Sequence, residues 1–168
     1  LQGGEPPQPA LADKAKQQGA TLIRPRIQVC ETDELMDARI LEALVSAKRH
    51  QTVAVLFPDS VTAVKVYKRL EVELRERMVE AELSEKVNLA RRHVRHFADV
   101  ANSKGLEFDV VLLAGVDQYD LSNSSHINRL YVGITRARQN LVLLSGTKTL
   151  APQLAEVRAV YQDLAGRP

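Results

Sequence analysis

The chain has 168 residues, 45% of them hydrophobic and 26% charged, with 4% aromatics and no Trp. This is the length of one domain that can bury a core, and its aliphatic bias suits short parallel strands covered by helices. Lys plus Arg number 23 against 21 Asp plus Glu, a balance that neither demands nor forbids a nucleic acid partner. The lone Cys30 excludes an internal disulfide and a cysteine-built zinc site, and no run approaches the ~20 apolar residues of a membrane span.

Residues 1–9 are Gly/Pro-rich, are expected to be flexible and lack the apolar core of a signal peptide, so the chain reads as cytoplasmic. No initiating Met is present, which suggests a piece of a longer protein. Residues 10–18 are predicted as a short helix ended by Gly19. Residues 27–31 alternate like a strand, and Thr32 offers an N-cap for a helix through Lys48. Residues 52–57 (TVAVLF) form a second strand, broken by Pro58 and Asp59. Ser60 is the expected cap of a long helix with Val61, Val64, Tyr67, Leu70, Leu74 and Met78 on one stripe. The strongly charged residues 71–85 place the end of that helix on the surface.

Residues 93–100 contain a strand, and residues 109–114 (DVVLLA) read as a buried one. A polar loop over 121–125 leads to a helix from about His126 to Arg138. A last strand at 141–145 and a last helix at 151–164 follow. Alternating strands and helices predict an α/β domain with a mostly parallel sheet. Between Lys86 and Lys104 the bases Arg91, Arg92 and Arg95 meet only one acid, Asp99. That stretch is either a nucleic-acid-facing surface or a solvated helix face. His93 and His96 could share a helix face, but no ligand set surrounds them.

Two segments carry chemistry. In Asn102-Ser103-Lys104-Gly105-Leu106-Glu107-Phe108 a polar turn leads straight into an apolar strand. Gly105 permits a positive φ or close approach of a ligand to backbone, and Lys104 and Glu107 bring opposite charges to the mouth of the sheet. In Tyr131-Val132-Gly133-Ile134-Thr135-Arg136-Ala137-Arg138, read as helix, Arg129, Gly133 and Arg136 share a face, while Arg138 points elsewhere. A Gly in a helix interior costs about 1 kcal/mol relative to Ala, so something is expected to pack close beside Arg136. A docked Arg can meet a phosphate in planar, bidentate geometry. Each segment alone also fits a plain surface loop or a helix with solvated arginines.

Together the segments resemble motif V (KGLEF) and motif VI (YVGITRAR) of UvrD/Rep-type superfamily 1 DNA helicases, in the family's order. The resemblance implies the second RecA-like motor domain, a three-layer α/β domain with a mostly parallel sheet flanked by helices, over residues 10–168. It implies ATP with Mg²⁺ in a cleft shared with a Walker-containing N-terminal domain of the same full-length protein, which holds the metal. Arg136 would be the arginine finger, Glu107 would bind the nucleotide through its ribose, Gly105 would allow close approach and Thr135 would support Arg136. Asn102, Ser103 and Lys104 would couple nucleotide to single-stranded or partly duplex DNA, and Arg91, Arg92 and Arg95 would add DNA contacts.

Several residues depart from the family pattern. No Walker A loop occurs; Gly146-Thr147-Lys148-Thr149 lacks the glycines, and Asp117 takes a loop role rather than that of a metal-binding acid. Motif IV is expected before residue 1. Ala101 and Asp99 stand where the family has His and Thr, which weakens DNA contact at this loop. The accessory subdomain is expected to be reduced to a charged helical segment over 71–96. The alternative function is a degenerate RecA-like module that serves as a DNA- or protein-binding platform without ATPase activity.

Overall fold

The structure, a computed structural model, describes residues 25–85 and 90–146. The expected helices at 10–18 and 151–164, the flexible residues 1–9, Lys86 and residues 147–149 lie outside them.

Six strands form one sheet: β1 (Arg26–Val29), β2 (Val53–Phe57), β3 (Ala81–Leu83), β4 (Arg95–Asp99), β5 (Phe108–Ala114) and β6 (Ala137–Ser145). Their order is β1-β6-β5-β2-β4-β3, and every neighbouring pair is parallel. Helices α1 (Asp33–Ser46), α2 (Ser60–Glu76) and α3 (Ser124–Ile134) supply the outer layers.

The apolar runs explain the centre. All of β2 and all of β5 are buried, because each has a neighbour on both edges and cover on both faces. Alternate residues then sort into two cores. Val53, Val55 and Phe57 join Phe97, Leu112, the α1 residues Ile40 and Leu44, and the α2 residues Val66, Leu70 and Leu74. Ala54 and Leu56 join Val111, Leu113, Val100 and the α3 residue Leu130 on the opposite face. The result is the expected three-layer, RecA-like α/β arrangement.

Local capping fixes the helix starts. Thr32 caps α1 as expected, its Oγ1 accepting from Leu35 N at 3.2 Å. For α2 the cap is Asp59 rather than Ser60; its carboxylate accepts from Thr62 N at 2.7 Å and Thr62 Oγ1 at 2.9 Å. With both Thr62 donors taken by the Asp59 carboxylate, Ser60 becomes the first residue of the helix instead of its cap. The buried stripe of α2 is accordingly Ala63, Val66, Leu70 and Leu74, while Val61 is 62% exposed.

The charged helical segment expected over 71–96 is not one. The helix stops at Glu76, and Val79 N bonds back to Leu74 O at 2.9 Å while Met78 takes a φ of 59°. That left-handed closing turn sends the chain into the short edge strand β3 instead of prolonging the helix.

Candidate functional site

Motif V occupies the crossover from β4 to β5. The side chain of Asp99 accepts from Asn102 N at 2.8 Å and starts a 3-10 turn over Val100–Ser103. The Ser103 hydroxyl donates to Val100 O at 2.6 Å, and the residue is fully buried. Ser103 is therefore corrected from a DNA-coupling residue to an internal fastener of the turn. Asn102 and Lys104 remain exposed. Gly105 has a φ of +82°, with nothing within 4 Å of where a Cβ would stand. The glycine thus meets the backbone requirement and leaves open space beside it.

Motif VI departs from the expected continuous helix. Helix α3 ends at Ile134 and β6 begins at Ala137, so Arg136 sits in the turn between them. Arg129 lies in the middle of the helix and donates to Pro58 O at 3.2 Å just past β2, whereas Arg136 lies beyond the helix end, so the two share no helix face. Gly133 faces β5 instead of packing beside Arg136: a Cβ there would lie 2.8 Å from Leu113 Cδ1 and 3.5 Å from Val100 Cγ2.

Arg136 is held by the end of its own helix. Its Nε donates to Val132 O at 3.1 Å and its Nη2 to Thr135 Oγ1 at 3.1 Å. The Thr135 hydroxyl in turn donates to Tyr131 O at 3.0 Å or Val132 O at 2.9 Å. A cation over these last carbonyls is favoured by the helix dipole. Among the described residues no carboxylate pairs with Arg136, and its remaining N–H groups are free to meet a ligand.

The two motifs meet through backbone, Phe108 N donating to Arg136 O at 2.8 Å. Around that bond lies an open cleft of about 450 Å³, lined by Thr52, Arg92, Gly105, Leu106, Glu107, Arg136 and Arg138. Thr52, Glu107 and Arg136 immediately precede β2, β5 and β6. The cleft thus opens at the amino edge of the parallel sheet, not at the carboxyl edge that open α/β sheets commonly use.

Beneath the cleft lies Asp109, 4% exposed, which local reading took simply as the start of an apolar run. Its carboxylate accepts from Thr52 N at 2.9 Å, Arg138 Nη2 at 2.9 Å and Arg92 Nη2 at 3.4 Å, and its own N–H donates to Thr52 Oγ1 at 2.8 Å. Burial alone would raise its pKa, but the Thr52 amide, the Arg138 charge and the side-chain hydrogen bonds outweigh it and hold the carboxyl below the usual range. A charged residue inside an otherwise apolar strand is the signal that could have pointed to it, since a buried charge requires partners. Arg138 belongs to the cleft and does not point elsewhere.

The proposed basic DNA surface comes apart. Arg95 is 4% exposed and donates to Gln51 O, Ala47 O and Lys48 O at 2.8, 3.1 and 3.1 Å. It closes the carbonyl end of α1 and is unavailable to DNA; burial lowers its pKa. Arg91 is paired with Glu80 and Glu82 across the sheet edge. Arg92 lines the cleft. The three arginines face different surroundings because residues 95–99 are strand, not helix. For the same reason the two histidines separate: His93 meets Glu80 at 2.9 Å, while His96 is buried with Ser84 Oγ 2.9 Å from its Nδ1. Asp117 keeps a loop role, accepting from Gly146 N at 2.6 Å.

The all-parallel sheet with its flanking helices is a RecA-like α/β fold, and both motifs lie on it in the order that UvrD-type helicases show. Residues 96–144, the segment holding both motifs, match the UvrD-like helicase C-terminal domain. In fold the chain is similar to the C-terminal domain of a possible DNA helicase from Lactobacillus plantarum WCFS1, with a TM-score of 0.66 and 23% identity over 82% of this chain and 83% of that one. The Pyrococcus furiosus Hef helicase domain aligns with a TM-score of 0.49 and 16% identity over 92% of this chain and 35% of that one. No curated protein matches the chain. Among the described residues no helix is long and apolar enough to cross a membrane.

Proposed function

We propose that the chain is the second motor domain of an ATP-dependent DNA helicase or translocase, and that it completes an ATP site whose Walker-containing half lies elsewhere in the full-length protein. One observation carries this: Arg136, unpaired with any described carboxylate, lines the same cleft as Gly105 and Glu107. A guanidinium fixed by a helix end beside an open, arginine-lined cleft fits a polyphosphate.

In this reading Arg136 stabilises the charge that develops on the γ-phosphate, and Thr135 sets its rotamer. Glu107 accepts a hydrogen bond from the ribose, and Gly105 lets the nucleotide approach the backbone. Mg²⁺ would be held by the other domain. ATP bridging the two domains favours a closed state and its hydrolysis opens the cleft, so nucleotide state biases a two-state element. Asn102 and Lys104, exposed on the crossover, link that change to bound DNA.

The test is Arg136→Ala in the full-length protein. ATP affinity should stay near normal, while hydrolysis stimulated by single-stranded DNA falls at least about a hundredfold, within the range of arginine-finger losses. The internal use of Asp99 and Ser103 favours the second reading, a binding platform without ATPase activity. Unchanged turnover in Arg136→Ala would select it.

A further inference from the structure

The cleft holds more positive charge than the role of Arg136 requires. Arg92, Arg136 and Arg138 all line it, and the only lining carboxylate is Glu107. Arg92 comes from the loop before β4 and Arg138 from the start of β6. They converge because both bond Asp109, Arg138 to Oδ1 at 2.9 Å and Arg92 to Oδ2 at 3.4 Å. Thr52 fixes that carboxylate from the amino end of β2.

The two arginines are anchored without being sealed. Their side chains keep 55% and 46% exposure, against 5% for Asp109. A guanidinium carries five N–H donors. Arg138 gives one to Asp109; Arg92 gives one to Asp109 and its Nε–H to His50 O at 2.9 Å. Donors remain on both for a ligand in the cleft. Three guanidiniums against Glu107 and the underlying Asp109 leave one positive charge unbalanced, which a multiply charged anion would neutralise.

We infer that Arg92 and Arg138, held in place by Asp109 as a positioning residue, bind the polyphosphate of the nucleotide in the ground state, leaving Arg136 to act on the transferred group. The identity of the anion as a nucleotide rests on the function proposed above; the anion site itself rests on geometry alone. The division of labour is specific: two arginines set affinity and one sets rate.

Two measurements separate these claims. The first is titration of the 168-residue chain with inorganic tripolyphosphate at low ionic strength. Arg92→Gln and Arg138→Gln should each weaken binding by on the order of tenfold, as loss of a charge-assisted hydrogen bond does, with thermal unfolding checked for each variant. Arg138→Lys, which keeps the charge, should retain more affinity than Arg138→Gln. Binding within twofold of wild type in both Gln variants, or no binding by the wild-type chain, overturns the inference.

The second is steady-state ATPase of the full-length protein. Arg138→Gln and Asp109→Asn should raise KM for ATP by about tenfold and lower kcat by much less, whereas Arg136→Ala lowers kcat. An equal fall of kcat in all three contradicts the assigned roles. If tripolyphosphate binding depends on Arg92 and Arg138 but turnover ignores Arg136, the anion site stands and the motor reading fails.

Discussion

Asp109 concentrates the chemistry of the cleft in one carboxylate. Its folded pKa lies below the ordinary value, so ionisation stabilises the fold. That contribution is complete above the unfolded carboxylate value of about 3.9 and disappears as the pH falls through the lower folded value. Asp109→Asn should therefore cost about 1–3 kcal/mol at pH 7 and flatten the acid limb of the stability curve, measured by urea unfolding between pH 7 and 3. A variant whose stability falls with acid as steeply as wild type would show that the carboxylate's charge is unimportant there. Sequence patterning alone missed this residue. The partners that make a buried Asp tolerable, Thr52, Arg92 and Arg138, arrive from three other segments, and no local spacing announces them. The turn at Gly105 was legible, because a glycine just before an apolar run suits the positive φ found there.

At the scale of elements, the packing of α3 on β5 is set by the missing side chain at Gly133. A Cβ there would come within 2.8 Å of Leu113 Cδ1, and Leu113 is fully buried. Gly133→Ala gains about 1 kcal/mol in helix propensity but overpacks a core at a cost of about 1–3 kcal/mol. Thermal unfolding should show a net loss for Gly133→Ala, and the double variant with Leu113→Val should be more stable than the sum of the single effects. Additive losses would place the clash elsewhere. The apolar runs of β2 and β5 were readable because both faces of each strand are buried. The end of α3 was not. Tyr131 to Arg138 suits a helix by composition, and the chain leaves it where the Thr135 hydroxyl takes the last carbonyls and Phe108, distant in sequence, claims Arg136 O.

For the molecule as a whole, the sheet order predicts a gradient of stability. Strands β2 and β5 have partners on both sides, whereas β1 pairs only with β6 and β3 only with β4. Native-state amide exchange should find the slowest protons in β2 and β5 and much faster exchange, by local opening, in β1 and β3. Cys30 N, which donates to Ser145 O at 2.7 Å, is the reporter at the β1 edge. Equal protection across all six strands would mean that the sheet opens as one unit.

The pairing of β1 with β6 also bears on biosynthesis. The earliest described strand has nowhere to dock until the latest has left the ribosome, since Arg26 to Val29 register on Val142 to Ser145. From its own synthesis until residues 142–145 emerge that strand waits, and the edge of β5 that β6 will cover stays open to passing chains. Arrest of synthesis before Leu141 should leave that edge uncovered and a product prone to aggregation.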